Sequence, residues 1–191
     1  MKKVILIAAM AFVSVAGFAQ TKFAHINFSE LIQLCPEADA AREQMAAAQK
    51  EASDTYQAMV DEFQSKYSQY QQKASTWTQT IRESKEKELT EIQQRIEEFN
   101  QSIQQELSAQ QNELMAPIYQ KAQEVANKLA KDGGYIYVFD VTTLLYVDSK
   151  QSVDLTPAAR KAMNVPEGRT VESLQAELQA QQQAAAQAQQ Q

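Results

Sequence analysis

From Glu37 to Lys131 the chain runs 95 residues without a glycine and with one proline, Pro117. Apolar residues recur there at steps of three and four: Tyr56, Met59, Phe63, Tyr67, Tyr70, Ala74, Trp77 and Ile81. The rhythm resumes at Leu89, Ile92, Ile96, Phe99, Ile103 and Leu107 and continues through Leu114, Ile118, Val125 and Leu129. At 3.6 residues per turn such spacing draws one narrow stripe along a helix, the seam of a coiled coil rather than a broad globular face. Consecutive fours at Met59–Phe63–Tyr67 and Phe99–Ile103–Leu107 interrupt the strict heptad and locally unwind the supercoil.

The stripe breaks once. Arg82 to Glu88 contains no apolar residue, and Ser75, Thr76, Thr78 and Thr80 just before it are poorer helix formers. The midpoint of the stretch, residue 84, falls in this gap, which predicts a helical hairpin with its tip near 75–88. The flanks agree. Strand-like segments lie at Lys22–Asn27 and Tyr135–Val147, and a single continuous helix would hold them roughly 140 Å apart. A lone two-stranded hairpin is marginal in water, so the C-terminal strands Tyr135–Phe139 and Leu144–Val147 need the third strand that folding back supplies. The expected class is α+β: a small β-rich body with a long antiparallel α-helical hairpin inserted between the first strand and the C-terminal strands, each arm roughly 60 Å long.

In chain order, residues 1–19 carry the marks of a secretory signal peptide: Lys2 and Lys3, an apolar run from Val4 to Phe18, and Gly17-Phe18-Ala19 as a cleavage site. Its removal takes the net charge from −6 to −8 and places the protein outside the cytoplasm, where ATP is not expected. Residues 20–36 and 132–165 form the body, 37–131 the arm and 166–191 a C-terminal extension. Ser29 is placed to cap a short helix Glu30–Leu34, and Pro36 to open the arm at its first helical position. Pro117 predicts a kink in the returning arm. Asp132-Gly133-Gly134 is a helix stop. Tyr135–Phe139 reads as a strand covered on both faces, Asp148–Ser152 as a polar loop, and Thr156-Pro157 and Thr170 as starts of two short helices. From Gln179 onward every residue is Gln or Ala, a low-complexity tail expected to be disordered or fraying helix. A body this small rarely stands alone without staples or oligomerisation.

Little in the chain suggests catalysis. His25, the only histidine, reads as a half-buried strand residue without companions, and Cys35, the only cysteine, as a small buried residue near the helix junction. No phosphate loop, dinucleotide fingerprint or metal-ligand spacing is present, so no catalytic, cofactor or metal residue is expected. The acidic balance argues against nucleic acid. The arm residues Tyr56, Met59, Val60, Phe63, Tyr67, Tyr70 and Trp77 have two readings: packing in the seam, or gripping apolar segments of another protein. Val60, beside the stripe, and Trp77, near the tip, are the better candidates for exposed contact.

In order and local motif the chain resembles the Skp/OmpH family of periplasmic chaperones. The resemblance rests on the leader, the strand Phe23–Asn27, the run Leu34-Cys35-Pro36-Glu37-Ala38 and the long hairpin. Gly134-Tyr135-Ile136-Tyr137-Val138-Phe139-Asp140, Leu145-Tyr146-Val147-Asp148 and Asp154-Leu155-Thr156 complete it. It implies a homotrimer whose strands form a β-rich body, here through Phe23, Ile26, Tyr135, Tyr137, Val138, Phe139, Leu145, Tyr146 and Val147. Three hairpins would extend from it as tentacles around a cavity. The cavity would hold unfolded outer-membrane β-barrel proteins in the periplasm without ATP. Family members best known are basic, and this chain is acidic, so contact with a membrane surface loses its electrostatic basis and apolar contact gains weight. The rival readings are a structural coiled-coil spacer or adaptor of the envelope, and an exported enzyme.

Overall fold

A computed structural model describes residues 22–188; residues 1–21, with the segment expected to be a leader, and residues 189–191 of the tail lie outside the described residues. The elements run β1 (Phe23–Ile26), α1 (Phe28–Leu34), α2 (Pro36–Lys73), α3 (Gln79–Gly133), β2 (Tyr137–Asp140), β3 (Ser152–Asp154), α4 (Thr156–Ala162) and α5 (Val171–Ala188). Contacts divide the described chain into two units, one of residues 22–31 and 122–188, the other of residues 32–121.

In the first unit the three strands form a parallel sheet of order β2-β1-β3. The expected pairing of two adjacent C-terminal strands is corrected. β2 and β3 do not touch; each flanks β1, Phe23 pairing with Tyr137 on one side and Ser152 on the other. Parallel neighbours cannot be joined by a tight turn, so the chain after β2 must cross the sheet. It does so through a 3-10 turn at Val141–Thr143, where Thr142 N–H donates to Asp140 Oδ1 at 3.1 Å. Leu144–Val147, expected as a strand, lies in this crossover. The expected loop 148–152 is a turn up to Gln151, and the third strand starts at its end: Asp148 organises the turn, accepting from Lys150 N–H at 2.9 Å through Oδ1 and from Ser152 N–H at 2.9 Å through its carbonyl. β3 follows at once.

Alternation along the strands sets two faces. Ala24, Ile26 and Val138 face the core, with Leu31, Ala126, Leu155 and Ala159 buried beside them and Phe28, Val125, Leu129 and Tyr135 packed against the cluster. Ala24, Ala126 and Ala159 are small enough to bring sheet and helices close. α1 is capped by Asn27, whose Oδ1 accepts from Glu30 N–H at 3.0 Å, rather than by Ser29. Asn27 N–H donates to Thr156 Oγ1 at 2.9 Å, joining the end of β1 to the start of α4. Arg160 holds Glu30 in an ion pair and donates to the Arg169 carbonyl at 2.6 Å, fixing the loop that leads to α5.

α3 ends as the Asp132-Gly133-Gly134 stop predicts. Tyr135 N–H reaches back to the Ala130 carbonyl at 3.0 Å and Gly134 N–H to that of Lys131 at 3.2 Å, a paired C-cap that needs the left-handed φ of +66° at Gly134. Gly133 allows a close approach: a Cβ there would run into the Tyr135 ring. Thr170 caps α5 as expected, accepting from Ser173 N–H at 3.2 Å. The helix then continues to Ala188, through most of the tail that composition left as disordered or fraying. Ala and Gln are good helix formers, and Leu174 is buried, anchoring the start of the helix.

In the second unit α2 has Pro36 at its first positions, as expected. α2 and α3 run antiparallel, their partners descending on one helix as they rise on the other: Glu37–Lys121, Glu62–Arg95 and Lys66–Glu88. The connection is only residues 74–78, so the tip precedes the charged run and is shorter than the predicted 75–88. Arg82–Glu88 is helical. Thr78 starts α3, its carbonyl accepting from Arg82 N–H at 3.0 Å, and Lys85–Glu88 and Lys87–Glu91 pair along the helix surface. A gap in apolar residues marks a break in the seam, not in the helix. α2 and α3 have 38 and 55 residues, about 57 and 82 Å of helix. α3 continues through Pro117.

Candidate functional site

Two surfaces carry the residues singled out from the sequence. The first is the face of the sheet turned away from the core. Register places Phe23, Tyr137 and Phe139 on it together with His25, Ser152 and Asp154. The Phe23 and Tyr137 rings stack at 6.4 Å between centroids, and Tyr137 and Phe139 lie 5.9 Å apart. All three remain exposed, Tyr137 at 60%, so this strand is not covered on both faces within one chain. In the crossover Leu145 is 107% exposed and Tyr146 80%. Soluble proteins seldom leave so many large apolar side chains in water together. Ile26, Tyr135 and Val138, named with them as residues of the body, belong to the chain's own core. Val147 is half-buried.

His25 is half-buried, as expected, but not without companions. Its Nδ1 lies 2.8 Å from Ser152 Oγ and its Nε2 4.0 Å from an Asp154 oxygen. Both partners come from β3, the strand the sequence did not reveal, and the three side chains link β1 to β3.

The second surface is the arm. The seam is thinner than its periodicity suggests: Ile92, 2% exposed, is the buried side chain of its distal half among the described residues. Met59, Val60, Phe63, Tyr70 and Trp77 are half-buried, whereas Tyr56 and Tyr67 are exposed at 38% and 46%. The ranking of Val60 and Trp77 as the more exposed is therefore reversed. Trp77 turns its ring to Tyr70, 6.0 Å away edge to face, and Phe63 stacks on Tyr67 at 5.9 Å. Between them Lys66 takes a seam position, holding Glu88, while the Tyr70 hydroxyl donates to Glu86. Lys66 stands three residues after Phe63 and four before Tyr70, a heptad position that apolar spacing passes over because its side chain is charged.

Lys66 and Lys85 together hold the Glu88 carboxyl down to about 2. The hydrogen bond to Glu86 pushes the Tyr70 hydroxyl up, and Lys121 lowers Glu37. Burial pushes the Cys35 thiol up, which keeps it protonated and unreactive. Because Glu88 is depressed in the folded hairpin, its contribution is complete above the ordinary glutamate value of 4.5 and is lost as pH falls toward 2. Trp77, the only tryptophan, reports on this end of the arm. Its emission is expected to shift to the red over that window, and Glu88→Gln to flatten the step; an unchanged step in the variant would remove Glu88 as its source.

Among the described residues no cluster of three or more His, Cys, Asp or Glu is placed to hold a metal ion. No described helix is long and apolar enough to cross a membrane. No curated protein matches the chain. A family described as outer membrane protein (OmpH-like) matches residues 22–163, a span containing both surfaces and leaving out α5. The chain belongs to the OmpH-like family, whose general type is the periplasmic chaperone associated with outer-membrane proteins, the Skp/OmpH family.

Proposed function

We propose that this protein is an ATP-independent holdase of the bacterial periplasm that keeps unfolded outer-membrane β-barrel proteins from aggregating. Three chains join through the body, residues 20–36 and 132–165, and their arms, residues 37–131, wall a cavity around one client. The leader, residues 1–19, directs export. The observation that carries the reading is the open aromatic face of Phe23, Tyr137 and Phe139 with Leu145 and Tyr146 beside it, a surface that calls for burial against further copies. Two helices tied by a thin seam and surface ion pairs leave Tyr56 and Tyr67 free for client contact, with Met59, Val60, Phe63, Tyr70 and Trp77 behind them.

Unfolded barrels expose alternating apolar strands that pair and aggregate. Enclosure separates them, and many weak contacts hold without a deep pocket. Release needs no nucleotide: the client leaves when folding in the membrane is more favourable. The test is light scattering from a urea-unfolded barrel diluted with and without the mature chain and without ATP. Suppressed aggregation at about one trimer per client is expected. Full aggregation beside folded trimer would instead favour a structural spacer with a fixed partner.

A further inference from the structure

The arm is not uniformly charged. Its middle, residues 43–61 of α2 and 97–115 of α3, lies between the Glu37–Lys121 and Glu62–Arg95 pairs. α2 contributes Glu43, Glu51, Asp54 and Asp61 to this belt, and α3 contributes Glu97, Glu98, Glu106 and Glu113. Against these eight acids stands one base, Lys50, itself paired with Asp54. Toward the tip, residues 62–96 carry six basic and five acidic residues. The acidity is confined to the middle.

An open groove of about 320 Å³ lies within this belt. It exists because α2 presents Ala48 and Ala52 where α3 presents Phe99, Ile103 and Leu107, and the small side chains leave the large ones incompletely covered. Glu51 and Glu106 stand exposed among its lining, and no basic residue lines it. An apolar floor between carboxylates is complementary to one large aliphatic or aromatic side chain flanked by Lys or Arg.

We propose that this groove docks cationic–apolar segments of an unfolded polypeptide, so that the arm selects client stretches by positive charge next to a large apolar side chain. The proposal rests on the holdase reading and specifies its client chemistry. Charge around the groove speeds encounter and excludes acidic segments, while the floor supplies apolar contact. The mode is salt-sensitive, since the carboxylates are exposed.

The test uses the mature protein and three short unstructured fluorescent peptides built on glycine and serine: leucine between lysines, leucine between glutamates, and lysines alone. Anisotropy is expected to give about ten-fold tighter binding of the lysine–leucine peptide than of either other. Glu51→Gln with Glu106→Gln should weaken it about five-fold without loss of helicity. Ala48→Leu, which fills the groove and keeps the charge, should weaken it as well. Equal binding of all three peptides, or a preference unchanged in both variants, overturns the proposal. The peptide assay needs no folding client, so the two readings fail separately. Suppressed aggregation of a barrel without peptide preference removes the groove alone. Peptide preference without suppressed aggregation removes the holdase reading and leaves the groove.

Discussion

In the proposed trimeric holdase, Phe139→Asp is expected to leave single chains that no longer protect unfolded clients. Phe139 lies on the uncovered face of the sheet, against Tyr137, which in turn stacks on Phe23. None of the three belongs to the cluster that holds the first unit together, which uses the opposite face. A carboxylate at this exposed position therefore leaves the chain's own core intact. In an assembly that buries the face, the same carboxylate would be desolvated without a partner at the centre of the interface. Central aromatic positions of this kind contribute about 2–4 kcal/mol each, and three copies would be altered at once. Sedimentation should show single chains with unchanged helicity, and light scattering should show a client aggregating as if alone. An assembled variant, or a monomeric variant that still protects, would contradict the assignment of this face.

Leu31→Ala is expected to act on folding instead. Leu31 is fully buried in the cluster formed by Ala24, Ile26, Ala126, Leu155 and Ala159. The alanines around it have no longer side chains with which to fill the space, so the cavity should stay open. The loss is expected at about 2–5 kcal/mol. In a unit this small that lowers the melting temperature by roughly 10–40 °C. Calorimetry would measure it. A fall under about 1 kcal/mol would mean that the cluster is not the main core of the unit.

Local chemistry made much of this fold legible. Pro36, Asp132-Gly133-Gly134 and Thr170 each announce a helix boundary through backbone requirements that neighbours do not change, and the glycine-free run announces the arm. The sheet was harder to read. Leu144–Val147 has the composition of a strand, but Asp148 and the need to cross β1 give the third place to Ser152–Asp154, a run with little β-propensity. Parallel pairing is a long-range outcome, and no local signal separates it from a hairpin. The same miss hid the partners of His25, which sit on β3. On the arm, periodicity located the stripe but not its centre line. Tyr56 and Tyr67 fall one residue outside it, and half-buried Thr55 and Lys66 fall within. A seam that accepts Thr and Lys cannot be found by apolar spacing alone. The mid-arm groove depends on which residues of α2 and α3 face each other, which the sequence withholds until the tip is fixed at residues 74–78.

The most direct test of client enclosure is native mass spectrometry of the mature protein mixed with a urea-unfolded outer-membrane barrel and no nucleotide. One dominant complex of three chains and one client is expected, absent for Phe139→Asp. Single chains, or a trimer that never carries a client while the barrel aggregates beside it, would contradict it.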